Sequence, residues 1–441
     1  MTWIHQLSTE LDETADVLGS KAFGLVTLLR LGLPVPPGFV IGTDACREFL
    51  HKGQMPDGLD DELAAAMNGF DSVSVRSGSK VSMPGMMNTV LNVSDPRFLR
   101  SAVIEVFESW NTPRAKTYRA LHDIPDDLGT AVTVQAMVYG NRDDHSGTGV
   151  AFSRNPNTGE PVPYGDVLFR QQGDAVVSGS QSTSPLAELA SEPAVWNGLL
   201  DGLRRIEQHY RDACYVEFTF ESGELWFLQV RSGRFVGRAA IRLAVDLVDE
   251  GMISQAEAVR RVTRNDVANS STPRIVATDI LARGIGASPG VATGVVVTTS
   301  DDAVRAPGPV ILVRPETSPF DMHGLAAAVG VVTARGGPAS HAAIVARSMG
   351  KPAVVGVSSL AVEDAAIHVN GQRIPAGRVD HHRRHQRRHR GRSRRRHHRC
   401  GGSVPDEISS DGRTLVRPSV ESGRVRQRRV DQTGINQDGT G

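Results

Sequence analysis

The chain alternates between two hydrophobic periods. Apolar residues recur at helical spacing in KAFGLVTLLRLG, a stretch that ends on Gly32. LPVPPGFVIG then reads as a turn and a strand, and SVSVRSG and AVTVQAMVYG read as strands from their β-branched alternation. CYVEFTFESGELWFLQVRSG reads as a hairpin turning at Glu221, Ser222, Gly223 and Glu224. Through residue 232 the pattern is that of an α/β or α+β architecture. Residues 233–270 turn helical, first in GRAAIRLAVDLVDEGM and then in SQAEAVRRVT, for which Ser254 is the expected N-cap. The polar, proline-bearing NDVANSSTPRI reads as a linker. A second compact unit follows over 280–377, with strands in GVATGVVVTT, GPVILVRPE and VGVVTARGG and a helix in SHAAIVARSMG. There are no internal repeats.

A hydrophobic fraction of 39% suits sizeable cores, and 441 residues are enough for two or three domains. No run of about eighteen apolar residues is present, which excludes a membrane-spanning helix. The N-terminal MTWIHQLSTELDETADVLG lacks the charged start, apolar stretch and cleavage site of a signal peptide. Cys46, Cys214 and Cys400 lie too far apart for a disulfide framework or a zinc site. A cytoplasmic protein is expected.

The formal net charge of zero hides an asymmetry. Residues 378–441 hold seventeen Lys+Arg against seven Asp+Glu, a balance of +10, so residues 1–377 carry 32 against 42, a balance of −10. From Arg378 the composition breaks into RVDHHRRHQRRHRGRSRRRHHRC, with no apolar residue between Val379 and Cys400, and disorder is expected there. Such a run invites a nucleic-acid reading, for which it is the sole hint. A frameshift is the rival: Asp380–Arg387, back-translated with permitted codons and read one base later, spells Ile-Thr-Ile-Asp-Gly-Thr-Ser and then Gly. On that reading the preceding domain loses its closing strands and exposes unpaired edges.

The strongest chemical signal is TARGGPASHAAIVARSMGKPAVVG. A strand ends in Gly336–Gly337 and a helix opens near Ser340–His341. That places an imidazole among free backbone N–H groups at the positive end of a helix, a setting that favours a phosphoryl group. Neutral imidazole is also a competent nucleophile near pH 7. Alone, a histidine there would be an ordinary capping or core residue.

This string resembles the phosphohistidine motif of the pyruvate, phosphate dikinase and phosphoenolpyruvate synthase group, close to GGxTSHAAxVARxxGxP. The resemblance extends upstream through GIGASPGVATG and VILVRPETSPFDM and is sharpest with the dikinases in SVRSGSKVSMPGMMNTVLNV. GSKAFGLVTLLRLGLPVPPGFVI, SGTGVAFSRNPNTGE, YGDVLFRQQGDAVVSG, ESWNTPRAKTYRALHDIP and LAVDLVDEGMISQAEAV are similar to further dikinase segments, so it covers nearly all of 1–377. It implies an ATP-grasp-like nucleotide-binding region over 1–232, a helical connector and linker over 233–279, a swivelling phosphohistidine domain over 280–377 and the basic tail over 378–441.

The resemblance also implies the site. His341 falls on the phosphorylated histidine. Lys21, Arg76, Gly78, Gly85, Asp166, Asp174 and Arg231 fall on ATP- or phosphate-binding positions, and Glu217 and Gln229 on metal-binding ones. An arginine fork suits phosphate, and two oxygen ligands beside ATP phosphates suit Mg²⁺. ATP is the implied substrate. His341 attacks its β-phosphorus, AMP leaves, and inorganic phosphate removes the terminal group. The alternatives in the same class are a synthase-like or antibiotic-type phosphotransferase, in which water takes that group. A catalytically decayed nucleotide-binding protein is the alternative from another class.

Four departures from the dikinase pattern stand out. Tyr215 replaces an aspartate two residues before Glu217, and Ala175 follows Asp174 where the family has a second acidic residue. The segment between LNVSDPRF and SAVIEVFESWN is short of a subdomain. Ala339 stands where many dikinases carry a regulatory threonine. The 64 residues after 377 cannot form the pyruvate- and phosphoenolpyruvate-binding barrel, which takes about 250. A separate partner chain carrying that barrel is therefore expected for any pyruvate half-reaction, and a homodimer is compatible with the pattern.

Overall fold

The computed structural model describes residues 2–81, 83, 86–173, 183–233, 235–268, 270, 280–338, 340–377, 406–409 and 414–416, the last two stretches by backbone alone. Three large sheets organise them, and the α/β class read from the sequence is the one that forms.

The first sheet is antiparallel. Its strands run in the spatial order Ile4–Gln6, Gly38–Ile41, Ala131–Ala136, Val73–Gly78 and Thr89–Val93. Alternation decides its two faces. Val73, Val75, Val132 and Val134 pack under helices Thr43–Lys52, Leu59–Ala66 and Pro96–Ser109 with Phe39, Phe49, Leu99 and Phe107. The opposite face presents Ser74, Arg76 and Gln135 to a cleft.

The second sheet, also antiparallel, runs Glu224–Ser232, Cys214–Glu221, Gly147–Phe152, Tyr164–Phe169 and Ser184–Pro185. The hairpin forms as read, and its two turn residues, Ser222 (φ 51) and Gly223 (φ 82), both take the left-handed conformation that a tight two-residue turn needs. Phe218, Phe220 and Phe227 pack on helix Pro193–Tyr210 through Leu199, Leu203 and Ile206.

Helix Ala15–Arg30 joins the two lobes. Leu18, Ala22 and Val26 pack with Val40 and Ala131 of the first sheet, while Leu25 and Leu28 enter the core of the second. The helix carries a break at Gly19 (φ 71, ψ 162).

Helices Gly237–Asp249, Gln255–Arg261 and Arg264–Ala268 follow. The Ser254 hydroxyl caps the second by accepting from the Glu257 N–H at 3.2 Å. The sequence reading as linker is corrected at its start. The NDVA segment is helical because the buried Asp266 carboxylate accepts from the backbone N–H groups of Gly237 and Thr263. Arg154 clamps this connector to the second lobe through Glu207 and Glu250.

The third unit has a parallel centre: Val291–Val297, Val310–Arg314, Gly330–Thr333 and Ala353–Val355. Ile285–Ser288 adds antiparallel at one end. At the other, Asp406–Ser409 pairs along Val291–Val297, and Thr414–Val416 links it to Ile280–Ala282. This corrects the expectation of an open edge: backbone of the tail covers it. A ladder uses main-chain groups, which unusual side-chain composition leaves intact. The Arg/His-rich stretch 378–400, with the reading of Asp380–Arg387 as a frameshift, lies outside the described residues. No helix among the described residues is long and apolar enough to cross a membrane.

Candidate functional site

A cavity of about 480 Å³ opens where the two lobes meet the third unit, a volume within the range of small-molecule sites. Backbone contact builds its phosphate-sized end. A Cβ on Gly19 would lie 1.6 Å from the Gly78 carbonyl oxygen, so only glycine lets helix and strand approach this closely. Ser20 then bonds the Ser79 carbonyl through both its N–H (3.0 Å) and its hydroxyl (2.8 Å). Lys21 is thereby placed beside Arg76.

Arg76 donates to Glu217 Oε2 and to the Leu228 carbonyl, both at 2.9 Å. Glu217 and Gln229 are direct cross-strand partners, and Arg231 stands opposite Tyr215 in the same register. Lys21, Arg76, Gly78, Glu217, Gln229, Arg231 and His341 all line this one cavity. Among the described residues three cations thus face a single carboxylate, a surplus that suits a polyphosphate.

The charges act on each other. Burial lowers the Lys21 ammonium to about 7, helped by Arg76 and Arg231 and opposed by Glu217. Burial alone would raise Glu217, but Arg76, Lys21 and Arg231 outweigh it and hold the carboxyl below its ordinary range. Glu217 is therefore ionised at neutral pH.

His341 is the first residue of helix His341–Ser348 and 8% exposed. Its Nδ1 lies 3.1 Å from Thr317 Oγ1, while Nε2 is buried without a hydrogen-bond partner. Burial lowers the imidazole to about 4, against a raising influence from Asp321. The ring is neutral at pH 7. Ser340 precedes the helix as N-cap residue, though its hydroxyl makes no capping bond.

Asp166 lies away from the cavity lining. It lies in the same cross-strand row as Val150 and Glu217, two strands out from Glu217 and so about 10 Å away. The third unit covers it there: a Cβ on Gly337 would come within 2.4 Å of Asp166 Oδ1. Thr183 donates to the same oxygen at 3.0 Å. Asp166 is absent from the cavity wall because Gly337 stands in front of it. Gly85 and Asp174 lie outside the described residues.

Three contributors were not singled out from sequence. Gly19 interrupts a helical pattern, which is a visible signal. Thr317 sits in the quoted ETSP segment, but nothing local reveals its imidazole partner 24 residues on. Arg347, read only as part of the helix motif, is 5% exposed with its guanidinium carbon 5.1 Å over the Phe152 ring of the second lobe.

For a metal, the donor set is small. Among the described residues no group of three His, Cys, Asp or Glu side chains could hold one. Glu217 and Gln229 side by side still offer the one or two oxygens that Mg²⁺ takes from protein when phosphates and water complete its shell.

Comparisons with known proteins agree with this geometry. The family model for the AMP/ATP-binding domain of pyruvate phosphate dikinase matches residues 15–71 and 52–187, and that for the mobile domain of PEP-utilising enzymes matches 306–374. The chain is 37% identical to pyruvate, phosphate dikinase of Rhizobium meliloti (strain 1021), over 80% of this chain and 53% of that protein. It is 34% identical to the Clostridium symbiosum enzyme, over 82% and 55%, and 35% identical to dikinase 2 of Oryza sativa subsp. japonica, over 79% and 52%. Among solved structures, ATP-complexed D-alanine–D-alanine ligase of Bacillus anthracis aligns at TM-score 0.27 and 14% identity over 57% of this chain and 67% of that one, a likeness too slight to carry weight. Through its matched ATP-binding and mobile domains, the chain belongs to the pyruvate, phosphate dikinase family and spans about half the length of the relatives it matches.

Proposed function

We propose that this chain uses ATP to phosphorylate His341. The observation that carries the reading is that Lys21, Arg76, Arg231 and His341 all line one cavity. A nucleoside triphosphate whose phosphates lie against the three cations shares that cavity with the imidazole.

Lys21, Arg76 and Arg231 bind and orient the phosphates, and the Glu217–Arg76 pair fixes the guanidinium fork. Glu217 and Gln229 would hold Mg²⁺, which would supply charge neutralisation to the phosphates. Thr317 holds His341 at Nδ1. With the ring proton on Nδ1, donated to Thr317 Oγ1, the Nε2 lone pair is free to attack. The Nε2–phosphorus bond forms as the bond from the β-phosphorus to the bridging oxygen breaks, and AMP leaves with that oxygen. Inorganic phosphate then accepts the terminal group, leaving phosphohistidine and pyrophosphate. Passage to pyruvate requires a barrel supplied in trans or on a longer chain.

A second reading, a nucleotide-binding protein without phosphotransfer, is favoured by one observation: Tyr215 fills the position beside Glu217 and carries Arg231 stacked 4.1 Å over its ring. That leaves a single carboxylate at the metal position.

The test is incubation with β-labelled ATP, Mg²⁺ and phosphate beside His341→Ala. Acid-labile, base-stable label on the wild type alone, with AMP released, is the expected result. ATP binding without label identifies the second reading. Release of the terminal group as inorganic phosphate, with no pyrophosphate formed when phosphate is supplied, points to water as the acceptor.

A further inference from the structure

Behind the cavity wall, four side chains form one continuous stack across the domain boundary. Arg231 lies 4.1 Å over the face of Tyr215. Tyr215 meets Phe152 edge to face, with centroids 4.9 Å apart at 64°. Arg347 of the mobile domain lies 5.1 Å over that same Phe152 ring. Tyr215, Phe152 and Arg347 are all nearly fully buried. Arg347 donates one hydrogen bond to the Pro338 carbonyl at 2.6 Å, while its Nη1 is buried without a hydrogen-bond partner. Beside the stack, Gly337 seats against the Asp166 carboxylate with no room for a methyl group.

We propose that Arg347 is a positioning residue for the phosphoryl-transfer step: seated on Phe152, with Gly337 against Asp166, it fixes the mobile domain in the orientation that brings His341 to the nucleotide cavity. The inference rests on the phosphotransfer reading for its purpose but not for its geometry. A guanidinium on an aromatic face holds well when water is excluded, yet it makes no carboxylate pair that must be broken on leaving. That suits a domain that must dock to receive a phosphoryl group and undock to deliver it. The stack runs from Arg231 at the cavity to Arg347.

Docking is read independently of chemistry at a second contact, where Arg114 of the first lobe lies 5.4 Å from the Phe320 ring of the mobile domain. The full chain carries Arg114→Cys, Phe320→Cys and Cys400→Ser, leaving Cys46 and Cys214 buried, and a short bismaleimide reports the docked population. Arg347→Met and Phe152→Leu should each lower both cross-linking and His341 labelling by about tenfold with ATP affinity unchanged. Arg347→Lys and Phe152→Tyr, which keep charge and ring, should retain most of both. Gly337→Ala, whose new methyl would meet the Asp166 carboxylate of the other domain first, should lower cross-linking, and Asp166→Ala in the same chain should restore it. Cross-linking left unchanged by Arg347→Met and Phe152→Leu, or no rescue of Gly337→Ala by Asp166→Ala, overturns the proposal. Absence of label in every chain, wild type included, sinks the phosphotransfer reading instead, while cross-linking still decides the role of Arg347.

Discussion

Two arginines flank the second sheet, and they are held in different ways. Arg76 is tied by a carboxylate and a carbonyl at 2.9 Å each, inside the two-lobed body. Arg347 crosses a domain boundary, rests on a ring, and has no carboxylate partner among its described contacts. Burial pulls it down to about 10, while Tyr164, Tyr215 and Asp166 act in the opposite sense. The first arrangement is strong because breaking it strands a buried charge. The second is specific without being permanent. A fixed pair suits a surface that must meet ATP in one geometry, and a stacked cation suits a domain that has to come and go.

The same contrast appears in two glycines, and it gives the largest predicted effect. Gly19→Ala forces a methyl into the Gly78 carbonyl at a left-handed φ, which should cost about 3 kcal/mol or more and unfold the first lobe's contact with helix Ala15–Arg30. Thermal melts should show it. Gly337→Ala should leave the melt nearly unchanged. Equal losses in the two variants would erase the distinction between body and boundary.

Arg76→Met comes next. It leaves Glu217 without its ion-pair partner, so a loss of roughly 3 kcal/mol in denaturant midpoint analysis is expected, together with loss of ATP binding. Arg347→Met should change global stability by less than about 1 kcal/mol, because removing an unpaired buried charge offsets the lost packing. A large drop there would make Arg347 a structural core residue.

pH sharpens the comparison further. His341 at about 4 should keep its labelling rate constant level from pH 7 downward, falling only as pH nears about 4; a midpoint at the ordinary 6.5 would mean that the ring is not buried in the reacting state. Between 6.5 and about 4 the unfolded chain binds a proton that the folded one refuses, so His341 makes stability fall as pH drops through that window. Lys21 at about 7 loses its charge above neutrality, so ATP affinity should weaken with rising pH, by up to about tenfold per unit, and flatten in Lys21→Met. Away from the site, Ser254→Ala should cost about 1 kcal/mol of local stability in the connector helix, readable by amide exchange.

Much of this was legible in the chain. The strands of SVSVRSG and AVTVQAMVYG and the ESGE hairpin follow from local periodicity and turn chemistry, both of which are properties of a few consecutive residues. The Glu217–Gln229 pairing was not legible from the turn: its register would set Glu217 opposite Leu228, and a shift between Phe227 and Gln229 brings Gln229 there instead. The cover over Asp166 was not legible, because alternation gives the face of a strand and not what stands over that face. The edge of Val291–Val297 is closed by residues more than a hundred positions away, a pairing with no local signature.

By itself the sequence determined the elements, the dikinase-like motif around His341 and the residue types at the phosphate-binding end, since each depends on short-range spacing. Only the tertiary structure decided that Lys21, Arg76 and His341 share one cavity, that Thr317 meets Nδ1, and that Arg347 belongs to the second lobe as much as to its own helix. Those contacts span tens to hundreds of residues. They exist because close-packed faces exclude water and leave each buried polar group the partners that the fold brings to it.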